Sequence, residues 1–181
     1  FSRKETPFHR SVKCVLDRIK DGSSKDLVSR IRKETDKANR NELKKELPAV
    51  CFSGHFNKRS DAAIQEHSGF ICLDFDGYAS KKDMKDERTR LAKDRYVYSV
   101  FTSPSGNGLK ALVRIPQDVD NHISYFNALE KHFNSEHFDK TCKNVSRVCY
   151  ESYDPLIHIN ESSELWTGLE DTKHIEVEVK R

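Results

Sequence analysis

The stretch Gly69-Phe-Ile-Cys-Leu-Asp-Phe-Asp-Gly77 sets Asp74 and Asp76 into an otherwise apolar run. In an extended chain alternate side chains share a face, so the two carboxylates point the same way, roughly 7 Å apart, with Phe75 opposite. Two like charges on one face of an apolar strand repel each other and lose hydration. A bound divalent cation removes both costs, and carboxylate oxygens completed by water are the ligands that Mg²⁺ or Mn²⁺ prefer. Paired ions can stabilise both the attacking and the leaving oxygen of a phosphoryl transfer. The alternative is two solvated aspartates at a strand end where a turn begins at Gly77.

A second stretch, Ser105-Gly106-Asn107-Gly108-Leu109-Lys110, joins two strand-like runs. Gly106 and Gly108 permit positive φ and close approach, the backbone N–H groups can converge, and Ser105 and Lys110 add a hydroxyl and a positive charge. Such a turn suits a triphosphate, although the same residues also make an ordinary hairpin turn. A third carboxylate, Asp139 after Phe138, and a guanidinium, Arg147, supply what a nucleotidyl-transfer site would still lack. Asp139 as a solubilising loop residue is the competing reading.

These groups need elements to hold them. Apolar spacing predicts a helix over 11–20 and a second, with Ser23 and Asp26 as a capping box, running to about Ala38. A short helix, a break at Pro48, a strand over Ala49–Phe52 and another short helix before Gly69 follow. From Gly69 the expected order is a strand (Phe70–Asp76), a charged helix (Lys81–Lys93), two strands (Tyr96–Thr102 and Leu109–Ile115), a helix (Asp120–Phe133) and a strand (Arg147–Tyr153). That is the ferredoxin-like or RRM-like β-α-β-β-α-β order, in which the first and third strands are central neighbours. The expected class is therefore α/β of the α+β kind. Residues 1–68 form an N-terminal helical α/β module, 69–160 the RRM-like unit, and 161–181 a tail with a possible strand at His174–Arg181.

Composition narrows the classes. The chain has 181 residues, 35% apolar and 34% charged, which describes a hydrophilic globular protein with a thin core. No apolar run approaches the length of a membrane span and no signal peptide is visible, so a cytoplasmic location is expected. Five cysteines form no Cys-x-x-Cys pair, which argues against structural zinc and for buried thiols in a reducing compartment. Phe1 in place of Met suggests one module of a longer protein. The net charge of +3 is uneven: residues 1–69 hold 16 Lys/Arg against 10 Asp/Glu, and the remainder holds 16 against 19. A basic half beside an acidic one fits a polyanion surface next to a metal site, or simply a lysine-rich solvated helical face.

Taken together, Leu73-Asp74-Phe75-Asp76, the Ser105–Lys110 turn, and Phe138-Asp139 with Arg147 resemble the three motifs of the archaeo-eukaryotic primase (primase-polymerase) superfamily. The runs Leu47–Gly77, Ser103–Ile115 and Ser146–Pro155 look more closely like the N-terminal domain of virulence-associated E-type proteins of bacterial mobile elements, where such a domain often precedes a helicase-like ATPase. The resemblance spans about residues 12–160. It implies that Asp74, Asp76 and Asp139 hold two Mg²⁺ or Mn²⁺ ions, with Asp154 in reserve for the third carboxylate. Ser105, Gly106, Gly108, Lys110 and Arg147 would hold a nucleoside triphosphate for template-directed transfer onto a nucleic-acid strand. Lys110 departs from the His usual in that superfamily, and a lysine orients a phosphate less sharply.

Two rival enzymes fit less well. A haloacid-dehalogenase-like phosphatase also uses Asp-x-Asp, but Tyr78 replaces the usual threonine and no Gly-Asp segment completes its metal site. A replication-initiator nuclease needs a His-hydrophobe-His strand, which this sequence lacks. A catalytically inactive nucleic-acid-binding module that keeps the fold is the non-enzymatic alternative. For the single-stranded template, Lys58 and Arg59 are the expected contacts, with the lysine-rich helices before Pro48 as the other path.

Overall fold

The computed structural model describes residues 7–170. Three helices come first: α1 (Val12–Asp21), α2 (Lys25–Lys33) and α3 (Lys37–Lys45). Ser11 starts α1 by accepting the Cys14 N–H, and Gly22, at φ 87°, ends it in the left-handed region where glycine carries no Cβ penalty. The helix expected to run on to about Ala38 is instead two. Glu34 turns extended, and the Asp36 carboxylate accepts the Asn39 N–H to start α3. No apolar residue between 34 and 38 holds the longer helix together.

Next come β1 (Ala49–Val50), β2 (Gly54–Phe56), a 3₁₀ turn (Asp61–Ala63) and β3 (Ile64–His67). Where a short helix was expected before Gly69, β3 pairs antiparallel with β2. The pairing is close: a Cβ at Gly54 would stand 2.6 Å from the Glu66 carbonyl oxygen.

The central sheet contains β4 (Phe70–Phe75), β5 (Val97–Thr102), β6 (Leu109–Arg114) and β8 (His158–Ile159) in the order β4-β6-β5-β8, antiparallel throughout. α4 (Lys81–Lys93) joins β4 to β5, and α5 (His122–Phe133) follows β6. The fold is thus α+β, with the first and third strands of the anticipated unit as neighbours. One face of the sheet (Ile71, Leu73, Phe75, Val100, Ala111) packs with Leu91 of α4 and with Phe126 and Leu129 of α5. The other face (Cys72, Tyr98, Phe101, Leu112) is covered by Val15, Leu16 and Ile19 of α1, by Phe52 and by Cys149. α1 and the sheet therefore share a core, while Val28 and Ile31 of α2 form a separate small cluster with Leu47.

The fourth strand corrects the sequence-based expectation. Of Arg147–Tyr153 only β7 (Cys149–Tyr150) is strand, and it pairs with β1 rather than with β4. Glu151 explains the diversion. Its carboxylate, 3% exposed as a residue, is held by Arg18 (2.7 and 3.0 Å) and by Ser24 Oγ (2.5 Å), and its N–H donates to the Pro48 carbonyl (2.8 Å), drawing the segment toward the helices. The free edge of β4 is met instead by a single bridge between Phe75 and Phe138. The suggested strand at 174–181 lies outside the described residues. Among the described residues no helix is long and apolar enough to cross a membrane.

Candidate functional site

A cleft of ≈ 520 Å³ opens where β4 and β6 run out from under α1. Its lining includes Asp74 and Asp76, Lys110, Ser105 and Asn107 of the turn, Arg147, and a row of cations from α3.

The alternation of β4 sends Ile71, Leu73 and Phe75 into one core, and Cys72 and Asp74 to the opposite face. Asp74 lies directly across from Lys110 in the antiparallel register, so their side chains rise on the same side. The two meet at 2.5 Å, Lys110 Nζ on Asp74 Oδ1, with side chains 14% and 8% exposed. Burial by itself would lower the Lys110 pKa, but the Asp74 charge prevails and holds it raised, so the ammonium stays protonated. The lysine expected on a phosphate is therefore engaged by a carboxylate.

Asp139 reaches the site because residues 137–139 run along the open edge of β4. The Asp76 N–H donates to the His137 carbonyl and the Asp139 N–H to the Asp74 carbonyl, both at 2.8 Å. Phe138 turns into the core, edge-on to Phe75 at 5.3 Å, which leaves Asp139 facing the cleft side. Asp139 Oδ1 accepts from Thr141 N (2.9 Å) and Oγ1 (2.7 Å). The Cys142 thiol stands between the two carboxylates, 2.8 Å from Asp139 Oδ2 and 3.2 Å from Asp74 Oδ2. Burial would raise the Asp139 pKa, but the bonds from Cys142 and Thr141 outweigh it and hold the group below the usual carboxylate range. Burial, reinforced by the Asp74 charge and the bond to Asp139, pushes the Cys142 thiol up, so it serves as an S–H donor at neutral pH. Ligand atoms of Asp74, Asp139 and Cys142 lie within 4.8 Å of one another, which is metal-binding spacing.

Asp76 differs. It is exposed at the mouth, and its carboxylate makes no hydrogen bond or ion pair among the described residues. Partial desolvation, with Asp74 and Asp139 adding and Lys110 opposing, raises its pKa. Arg147 is loosely held, Nη2 standing 3.8 Å from Asp74 and 4.0 Å from Asp139, and its buried Nε has no partner. Its guanidinium keeps donors free for a ligand.

The turn is built differently from the anion cradle expected of it. Gly106, at φ 76°, spends its N–H on the Ser103 carbonyl (2.9 Å), and Gly106 and Gly108 do not line the cleft. Arg32 of α2 lies against Gly106 and donates to the carbonyls of Ser103 (3.2 Å) and Tyr153 (2.8 Å), bracing the turn. Gly108 is needed for space: a Cβ there would fall 2.0 Å from Asp76 Oδ1 and 3.0 Å from the Phe75 carbonyl oxygen. Asp154, the reserve carboxylate, is committed elsewhere, to Arg88 Nη1 and the Thr102 N–H, each at 2.7 Å. Lys58 and Arg59 are exposed between β2 and the 3₁₀ turn and do not line this cleft; the loop that carries them is tied at Asp61, whose Oδ1 accepts the Ser146 N–H (2.9 Å).

Two features escaped the sequence reading. Cys142 had no metal-like spacing to mark it. Lys37, Arg40 and Lys44, the cations of α3 that line the cleft, fell within the lysine-rich helices named only as the other template path and were not singled out as facing the carboxylates.

A family model described as BT4734-like, N-terminal domain matches residues 42–158, a span containing Asp74, Asp76, Lys110, Asp139 and Arg147. No curated protein and no solved structure matches the chain.

Proposed function

The chain belongs to the BT4734-like N-terminal domain family, and from the cleft of this member we propose a primase-polymerase-like domain that transfers nucleotides from nucleoside triphosphates onto a nucleic-acid strand. What supports this most is that Asp139, far along the chain, meets Asp74 at metal-binding spacing beside a cleft lined by Asp74, Asp76 and the underused donors of Arg147. The oxygen donors suit Mg²⁺ or Mn²⁺, with Cys142 as a hydrogen-bond donor beside them. Such ions supply charge neutralisation at the phosphates and activation of the attacking hydroxyl. Arg147 and Ser105 orient the triphosphate, and Lys110 holds the Asp74 carboxylate in place while the site is unliganded.

One observation favours a second reading, a nucleic-acid-binding module without catalysis: the Lys110 ammonium already neutralises Asp74 at 2.5 Å. Incorporation of labelled nucleotide on primed and unprimed templates decides between them. Transfer that depends on Mg²⁺ or Mn²⁺ and is lost on chelation is the expected result. Strand binding without incorporation under either metal leaves the binding module.

Gly108→Ala gives a narrower check on Asp76. The new methyl group must displace the Asp76 carboxylate and crowd the Phe75 carbonyl oxygen, so the Mn²⁺-induced rise in Tm, taken from each protein's own metal-free Tm, is expected to shrink. A full Mn²⁺ response in the variant would remove Asp76 from the ligand set.

A further inference from the structure

We propose that the cationic face of α3, formed by Lys37, Arg40 and Lys44, is the track on which the phosphates of a single-stranded nucleic acid enter the carboxylate cleft. It deepens the nucleotidyl-transfer reading and rests on it for the identity of the polyanion.

The three residues fall at i, i+3 and i+7, one stripe of the helix, and all three line the cleft. None makes an ion pair or side-chain hydrogen bond among the described residues, whereas the adjacent Lys45 pairs with Glu42 at 2.6 Å. Packing does not account for the row, since α3 has no buried residue. Positive charge accumulates there with little compensation: burial, then the neighbouring Arg40 and Lys110, lowers the Lys44 pKa, with only Asp76 opposing. A polyanion laid along the stripe removes that repulsion.

The stripe runs about 10 Å along the helix axis, which suits successive phosphates of a strand better than the tail of one nucleotide. Arg147 and Ser105, closer to the carboxylates, remain for that tail. Tyr150, half buried in the same lining, adds an aromatic ring on which a base can stack.

The test is the salt dependence of binding to a fluorescent oligothymidylate. Alanine is a strong helix former, α3 has no fully buried residue, and Leu43, its packing residue, is left in place, so Lys37→Ala/Arg40→Ala/Lys44→Ala preserves the helix, as an unchanged Tm would verify. Losing three phosphate contacts makes the log–log slope shallower by about 2. The charge-matched variant Lys20→Ala/Lys85→Ala/Lys93→Ala, altered at exposed positions outside the cleft, keeps the wild-type slope. Equal slopes for the two triple variants overturn the proposal. So does loss of Mn²⁺-nucleotide binding with the oligothymidylate slope intact, which would assign the row to the triphosphate. An α3-dependent slope in a protein that incorporates no nucleotide supports the track and removes only the catalytic reading.

Discussion

Replacing Asp74 and Asp76 one at a time is expected to move metal-free stability in opposite directions while abolishing metal-dependent nucleotide transfer in both cases. Asp74→Asn leaves the buried Lys110 ammonium without its closest counter-charge. Breaking a buried pair from one side costs about 3 kcal/mol, at the low end of the usual range because Asp76 stands near enough to take part of the charge. Asp76→Asn does the reverse. Its pKa is raised in the folded protein, so its negative charge at neutral pH opposes folding, and removing that charge raises the metal-free Tm. Incorporation falls by about 10²–10³-fold or more in either variant, the scale on which a single positioned electrostatic group acts. Both effects are read from thermal unfolding with and without Mn²⁺ and from single-turnover incorporation. Equal Mn²⁺ shifts in wild type and both variants would remove the carboxylate metal site.

Between pH 6.5 and about 4 the protein is expected to lose about 3 kcal/mol of stability through one histidine pair outside the cleft. His67 and His122 are 3% and 2% exposed. The Gly69 N–H donates to His67 Nδ1 (3.0 Å), so His67 Nε2 carries the proton and donates to His122 Nδ1 (3.1 Å). Burial, with His67 adding, lowers the His122 pKa to about 4 despite Asp61, and burial lowers that of His67 despite Asp118. An unfolded histidine takes its proton near pH 6.5 and the folded one does not. The contribution is therefore complete above that value, shrinks as pH falls, and is gone below the folded pKa. Chemical denaturation across this window should show the slope in wild type and a flatter one in His122→Phe. Parallel profiles would place the acid sensitivity elsewhere.

Much of the scaffold was legible because its signals are local. Phe70–Phe75, the Lys81–Lys93 helix and the β5–β6 hairpin follow from alternation, capping by Ser80 and a Gly-containing turn. The meeting of Asp139 with Asp74 was also anticipated, though for a partly wrong reason. It was expected from the motif order alone, whereas a one-residue bridge at Phe138 carries it. What stayed hidden depends on pairing across long stretches of chain. Strands were expected where β1 and β7 lie, but nothing local marks that they pair with each other, and the two-residue β8 carries no periodicity to read. Without β1–β7 nothing in the sequence placed the α3 cations opposite the carboxylates, and Lys58 and Arg59 stood in for them.

That same short ribbon bears on how the protein folds. β1 and β7 join segments roughly a hundred residues apart, and closing so large a loop costs entropy that only four residues of pairing reward directly. The β5–β6 hairpin and the β4-α4-β5 crossover close much smaller loops and can form early. Both walls of the cleft, α3 just before β1 and Arg147 just before β7, flank this late contact. The β4-β6-β5 part of the sheet is therefore expected to pair while the cleft is still open, with competence to bind a ligand acquired late in folding.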